Sequence, residues 1–141
     1  MTVVNHKDRK TIIREAADRI APSRDKWIER NDFYYQQDRD YMRFLIPEGQ
    51  SVLDLGCGTG DLLASLKPSR GVGVDFSDRM IKIAKGKFPG LKFALADIEK
   101  PGFTKKLGGP FDVIVLSDTF GLLDDCEATL ALLHDVCTPD T

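Results

Sequence analysis

The chain has 141 residues, 42% of them hydrophobic, with 20 basic against 22 acidic side chains and a formal charge of −2. That length and apolar content suit one compact domain with a real core, not two domains. The near-neutral balance gives no electrostatic footprint for nucleic acid or an anionic membrane, and no apolar run approaches the ~20 residues that span a bilayer.

Residues 10–20 carry Ile12, Ile13, Ala16, Ala17 and Ile20 at helical spacing, and Pro22 ends the pattern. A second helical stretch, about 24–45, places Trp27, Ile28, Tyr34, Tyr35, Tyr41, Met42 and Leu45 on one stripe. Asn31-Asp32 offers a break that would divide it into two helices, and the stripe predicts that Tyr34 and Tyr35 pack into the core. Pro47-Glu48-Gly49 reads as a turn. From residue 51 the pattern changes. Short apolar runs at 51–55, 71–74, 91–95 and 111–116 are strand candidates, with helical stretches at about 61–66 and 78–88 and another after 124. Ser77 or Asp78 can cap the second of these helices, and Pro89-Gly90 stops it. Residues 97–110 read as loop, given Pro101, Gly102, Gly108, Gly109 and Pro110. Alternating strands and helices predict parallel strands joined by right-handed crossovers, with helices on both faces.

The most informative segment is Val52-Leu53-Asp54-Leu55-Gly56-Cys57-Gly58-Thr59-Gly60-Asp61-Leu62-Leu63. A strand runs into three glycines spaced two apart, and a helix follows at once. Such a junction lets a ligand approach bare backbone, since no Cβ intervenes and glycine accepts φ > 0. Asp54 sharpens the reading. A carboxylate there weakens a phosphate site and helps a cationic one. The segment therefore points to a nucleoside carrying positive charge rather than to a dinucleotide.

This stretch resembles the first motif of the class I S-adenosylmethionine-dependent methyltransferases. Downstream, Gly73-Val74-Asp75-Phe76-Ser77 is similar to the family's second motif, Ala96-Asp97-Ile98-Glu99 to its third, and Phe111-Asp112-Val113-Ile114-Val115-Leu116-Ser117-Asp118 to its fourth. The resemblance covers roughly residues 50–135, with the motifs in the family's order. It implies an α/β, Rossmann-like parallel sheet with helices on both faces, of which this sequence supplies about four strands in the order 3-2-1-4. The family fold generally has seven strands, ordered 3-2-1-4-5-7-6, so the sequence reads as truncated before the fifth. On this reading residues 1–49 form a helical N-terminal cap segment, which carries Tyr34 and Tyr35 and in related enzymes often folds over the ligand, and 50–141 a partial S-adenosylmethionine-binding domain. The fourth strand would then be a bare edge, which predicts self-association.

The resemblance also implies a site. In open parallel sheets, ligands sit beyond the carboxyl ends of the strands where the strand order reverses, so the loops after residues 55, 75, 96 and 116 should converge. Asp54 would hold the glycine loop through backbone N–H groups or reach the ligand's ammonium. Gly56, Gly58 and Gly60 would let the methionine part and ribose approach, with Thr59 adding a hydroxyl or backbone N–H and Cys57 a small packing side chain. Asp75, ending the second strand, can accept both ribose hydroxyls. Phe76 could pack on adenine, Asp97 accept its exocyclic amine, and Ile98 flank the ring. Ser117 and Asp118 would face the methyl group's destination, with Asp118 the candidate for orienting or deprotonating the acceptor. Ser-Asp-Thr-Phe stands where the family's DNA amino-group modifiers carry Asn/Asp-Pro-Pro-Tyr/Phe, so that subclass is disfavoured.

The expected activity is therefore methyl transfer from S-adenosylmethionine to a small-molecule acceptor, with no membrane partner and nucleic acid disfavoured. Two alternatives stand beside it. A nicotinamide-binding dehydrogenase domain would share the strand–glycine junction and an acid about 20 residues on, which Asp75 fits, but here the third glycine comes one position early and Asp54 would face a pyrophosphate. A non-catalytic nucleoside-binding module, completed by a missing half or a partner, would share every motif. Three cysteines, Cys57, Cys126 and Cys137, lack metal-ligand spacing, and the polar first ten residues lack a signal-peptide core, so a reduced, cytoplasmic setting is expected. The two histidines, His6 and His134, argue against zinc, with His134 reading as a surface or capping residue.

Overall fold

The computed structural model describes residues 8–141 and is centred on four parallel strands. These are β1 (Ser51–Leu55), β2 (Arg70–Asp75), β3 (Lys92–Leu95) and β4 (Val113–Val115), in spatial order β3-β2-β1-β4. β1 pairs with β2 from Ser51↔Arg70 to Leu55↔Val74, and with β4 from Val52↔Val113 to Asp54↔Val115. This register brings Asp54, Asp75 and the residues after Val115 to the carboxyl ends of the strands. The expected strand order holds.

Side-chain alternation along the strands builds two apolar layers. On one face Val52, Phe93 and Val115 pack with Leu63, Ile81 and Ala84, the last three from α4 (Asp61–Ser65) and α5 (Asp78–Lys87). On the other, Leu53, Leu55, Val72 and Val74 pack with Leu107, Phe111, Leu133 and Val136. Ser77 caps α5, its hydroxyl accepting the Met80 N–H at 3.2 Å. The helical turn after residue 124 is α6 (Cys126–Ala131), capped by Asp125.

Ahead of the sheet lie α1 (Arg9–Ile20), α2 (Arg24–Arg30) and α3 (Asp32–Leu45). Asp8 caps α1 by accepting the Thr11 N–H at 2.9 Å. α1 gives way before Pro22 to a 3₁₀ turn. The break at Asn31 is real, and the Asn31 side chain donates to the Trp27 carbonyl at 2.8 Å. The single core stripe expected over 24–45 is corrected. Trp27, Tyr34, Tyr41 and Leu45 are exposed, while Ile28, Tyr35 and Met42 are half-buried. The break rotates α3 relative to α2, so spacing counted straight through residue 31 does not describe one face. His134 is exposed in the 3₁₀ turn Leu132–Val136, and His6 lies outside the described residues.

Candidate functional site

The carboxyl ends of the strands open into a cavity of about 480 Å³, within the range of small-molecule sites. Asp54, Gly56, Cys57, Gly58, Thr59, Asp75, Phe76, Asp97, Ile98, Ser117 and Asp118 all line it. Gly60 does not.

The glycines look alike in sequence and do different work. Gly58, with φ +54, has open space where a Cβ would stand. At Gly56, φ +83, a Cβ would lie 2.0 Å from Thr119 Oγ1, so the bare backbone there makes room for the loop after β4. Gly60 starts α4 at φ +89 and abuts the Phe93 ring, its Cβ position 2.9 Å from Cζ. Cys57 is buried in the core, and burial followed by the nearby Asp54 and Asp75 charges pushes its thiol pKa up, so it is no nucleophile near neutral pH.

The two strand-end carboxylates have divided tasks. The Asp75 carboxylate accepts the Gly58 N–H at 3.0 Å and the Ser77 N–H at 2.9 Å, so it braces the glycine loop. Desolvation nonetheless raises its pKa, against the pull of those N–H groups. Asp54 is only 2% exposed, and no hydrogen bond from the described residues reaches its carboxylate, which opens on the cavity. Of the two roles expected for Asp54, holding the loop therefore falls to Asp75. Burial, then the Asp75 charge, pushes Asp54 up to about 7. A buried carboxylate that takes no hydrogen bond from the described residues is costly, and a cation in the cavity would relieve it.

Asp97 accepts the Glu99 N–H at 3.0 Å and pairs with Lys10 at 2.9 Å, while Ile98 is buried beside it. After β4, Asp118 is exposed with φ +54, a left-handed conformation unusual for a side chain with a Cβ. The Thr119 hydroxyl donates to the Ser117 carbonyl at 3.1 Å and closes that turn.

The sequence reading expected a helical cap and singled out Tyr35 within it, but it did not pick out the other residues that roof the cavity. Lys10, Ile13, Ala17, Ile20, Arg24, Ile28, Tyr35, Asp38 and Arg39, all from α1–α3 or the turn between, line it from above. Each loop at the strand ends holds this roof by a polar contact. After β1, the Thr59 hydroxyl lies 3.0 Å from Asp25, whose carboxylate also accepts Lys87 Nζ at 2.8 Å. After β2, the Ser77 hydroxyl donates to Asp18 at 2.6 Å. After β3, Lys10 Nζ pairs with Asp97 and, at 3.0 Å, with Glu99. After β4, Arg9 donates to Asp124 at 2.6 Å and to the Leu122 carbonyl at 2.9 Å.

A family model described as "Methyltransferase domain" matches residues 27–141. An uncharacterized protein of Methanocaldococcus jannaschii is 35% identical over 127 residues, covering 90% of this chain and 47% of the relative. The malonyl-[acyl-carrier protein] O-methyltransferase of Halalkalibacterium halodurans is 33% identical over 100 residues, covering 66% of this chain and 37% of the relative. Among solved structures, the magnesium protoporphyrin IX methyltransferase of Synechocystis PCC 6803 with bound S-adenosylmethionine superposes with a TM-score of 0.72 at 21% identity, over 94% of this chain and 74% of that one. That likeness is one of fold. The chain spans about half or less of the length of these two curated relatives.

Proposed function

Starting from a chain that belongs to the methyltransferase domain family, we propose that it carries the S-adenosylmethionine site of an enzyme methylating a small-molecule acceptor. One observation carries the reading. Asp54 is buried, unpartnered by the described residues and open to a cavity whose floor is bare at Gly58, an arrangement suited to a cationic nucleoside. When bound, the donor supplies a methyl group on a sulfonium, an electrophile that needs no acid to activate it.

The chain's own residues then have to bind, align and exclude water. Asp54 faces the donor's ammonium. Asp75, already anchored by two backbone N–H groups, presents its remaining lone pairs to the ribose hydroxyls. Phe76, Asp97 and Ile98 take the adenine end. Residues 1–49 serve as the cap, and α1–α3 close the site from solvent. Ser117 and the backbone-constrained Asp118 stand where the acceptor would enter, with Asp118 orienting it or taking its proton. The malonyl-[acyl-carrier protein] O-methyltransferase and the magnesium protoporphyrin IX methyltransferase named above carry the names of chemically unrelated acceptors.

Calorimetric titration with S-adenosylhomocysteine, with NADH as control on the same folded sample, tests the donor site. Micromolar binding of the first and none of the second is expected; the reverse pattern would make this a dinucleotide domain.

A further inference from the structure

The cavity is acidic out of proportion to the chain. The sequence carries 22 acidic against 20 basic side chains, yet seven carboxylates line the cavity against three basic groups, Lys10, Arg24 and Arg39, and no histidine. Internal pairing does not use up this surplus. Lys10 is taken by Asp97 and Glu99, and Arg39 by Asp32, which lies outside the lining. Lys87 meets Asp61, and two backbone N–H groups meet Asp75. Asp38, Asp54 and Asp118 remain, and no hydrogen bond or ion pair from the described residues reaches their carboxylates. On the reading above, Asp54 is answered by the donor's ammonium. A cationic need is left over.

Asp118 is placed where a second ligand would meet it. Asp54 pairs in register with Val115, so the chain leaves β4 beside the end of β1. Both neighbours of Asp118 are pinned. The Thr119 hydroxyl donates to the Ser117 carbonyl at 3.1 Å, and the Thr119 side chain fills the space that a Cβ on Gly56 would need. Between them Asp118 is exposed and held at φ +54. The turn that follows is closed by the Leu122 N–H on the Thr119 carbonyl at 2.9 Å, and Leu122 and Leu123 line the same cavity. This loop thus offers one carboxylate and two apolar side chains.

We propose that the methyl acceptor is a small amine on an apolar body, which enters as its ammonium and is held and deprotonated by Asp118. The assignment rests on the methyl-donor reading above and names the acceptor class for it. An acidic lining concentrates cations and opposes anions. Carboxylate, phenolate and enolate acceptors would bring negative charge into that lining, whereas an amine is positively charged before the reaction and after it. An alkylammonium in water holds its proton to about pH 10, and a sulfonium beside it, a like charge, loosens that hold. The proton passes from nitrogen to the Asp118 carboxylate, and its electron pair stays on nitrogen. That pair forms the new N–C bond as the methyl's C–S bond breaks and its electrons pass to sulfur. The products are the N-methylated ammonium and the neutral sulfide, and exposed Asp118 returns its proton to water.

The test titrates matched probes into the chain saturated with S-adenosylhomocysteine: benzylamine, benzyl alcohol and phenylacetate, and the amine, alcohol and carboxylate of the cyclohexylmethyl skeleton. Each amine should bind at least about fivefold more tightly than its alcohol, the order of one charged contact, with the carboxylate weakest. Added salt should shrink the difference. Asp118→Asn should bring the amines to the level of the alcohols and leave S-adenosylhomocysteine affinity unchanged, and Asp118→Glu should restore part of the preference. Alcohols or carboxylates that bind as well as the amines overturn the assignment on the unaltered chain, without any variant having to fold, and leave the donor site standing. So does a chain that holds S-adenosylhomocysteine and takes up no amine, or an amine preference that survives in Asp118→Asn. Failure of the folded chain to bind S-adenosylhomocysteine overturns the donor site, and the amine assignment with it.

Discussion

Asp54 is a carboxylate that folding alone would not keep. Its folded pKa, pushed up to about 7 by burial and then by Asp75, lies above the ordinary value near 4 that it has in the unfolded chain. Between these limits the native state holds a proton that the unfolded chain has released, so Asp54 lowers the stability of the ligand-free protein as pH rises from about 4 to about 7. The desolvated Asp75 acts in the same direction, whereas Glu99 acts in the opposite one. Burial works against the charge of Glu99, but the Asp125 N–H and Lys10 hold its pKa down. The informative quantity is therefore the difference between the unaltered chain and Asp54→Asn, which keeps the shape and removes the titration. Near pH 8 the variant should melt at a higher temperature than the unaltered chain, and the gap should shrink as pH falls toward 5. Ligand binding should show the reverse. A cation beside Asp54 favours the ionised form, so S-adenosylhomocysteine should bind more tightly up to about pH 7 and release a proton at pH 6, measurable by calorimetry in buffers of different ionisation enthalpy. An identical melting-temperature profile for Asp54→Asn would show that Asp54 is not the strained group. A residue that weakens the empty fold and strengthens the filled one is the usual exchange of stability for function.

The α1–α3 roof is held by polar contacts made one per loop, and their strength decides whether it is a fixed wall or a cover that opens. Exposed ion pairs such as Arg9–Asp124 contribute about 0–1 kcal/mol each. Lys87 is better placed: its side chain is 26% exposed and it meets both Asp25 and Asp61. Burial opposes its charge, yet those two carboxylates raise its pKa above the ordinary lysine value. Lys87→Met should release α2 from the glycine loop, and a loss of ~1.4 kcal/mol would raise amide hydrogen exchange in α2 about tenfold. Higher salt should move exchange in the same direction. Unchanged exchange in α2 and in residues 57–60 would mean that apolar packing, not this network, seats the roof. The same network explains what could be read from sequence. The β1–glycine–α4 junction, the Ser77 cap and the Asn31 break are local patterns, each written within a few adjacent residues. The roof contacts join residues from 34 to 115 apart in the chain, and Asp18, Asp25 and Lys10 read singly as a solvated helix face. The aromatic residues of α2 and α3 misled for another reason: the break at Asn31 turns α3 relative to α2, so one helical spacing does not carry across both. Gly56 and Gly60 could not be told from Gly58 because their neighbours, Thr119 in the loop after β4 and Phe93 on β3, come from distant parts of the chain.

At the scale of the whole molecule, the sheet ends on β4, which pairs only with β1. The segment leading into β4 is covered, since the Phe111 N–H donates to the Val136 carbonyl at 2.9 Å and the Thr141 hydroxyl to the Phe111 carbonyl at 2.7 Å. What remains open is Val113–Val115, three residues long. An unpaired apolar edge is a template for another strand, and a short one is a poor template. Weak, concentration-dependent self-association of this chain is the expected balance, visible in sedimentation velocity as a weight-average coefficient that climbs with loading concentration. The pairing pattern supplies a control. The Asp112 N–H points to β1, donating to the Ser51 carbonyl at 2.9 Å, so alternation turns the Val113 N–H outward. Val113→Pro removes that outward donor while sparing the ladder to β1, and it should abolish the climb with far-ultraviolet circular dichroism unchanged. A single monomeric boundary for the unaltered chain at every concentration would instead show that three residues are too few. Ligand affinity offers the second check, since the cavity lies at the carboxyl ends of the strands and pairing along the β4 edge leaves that mouth open: S-adenosylhomocysteine should bind the associated and monomeric forms alike.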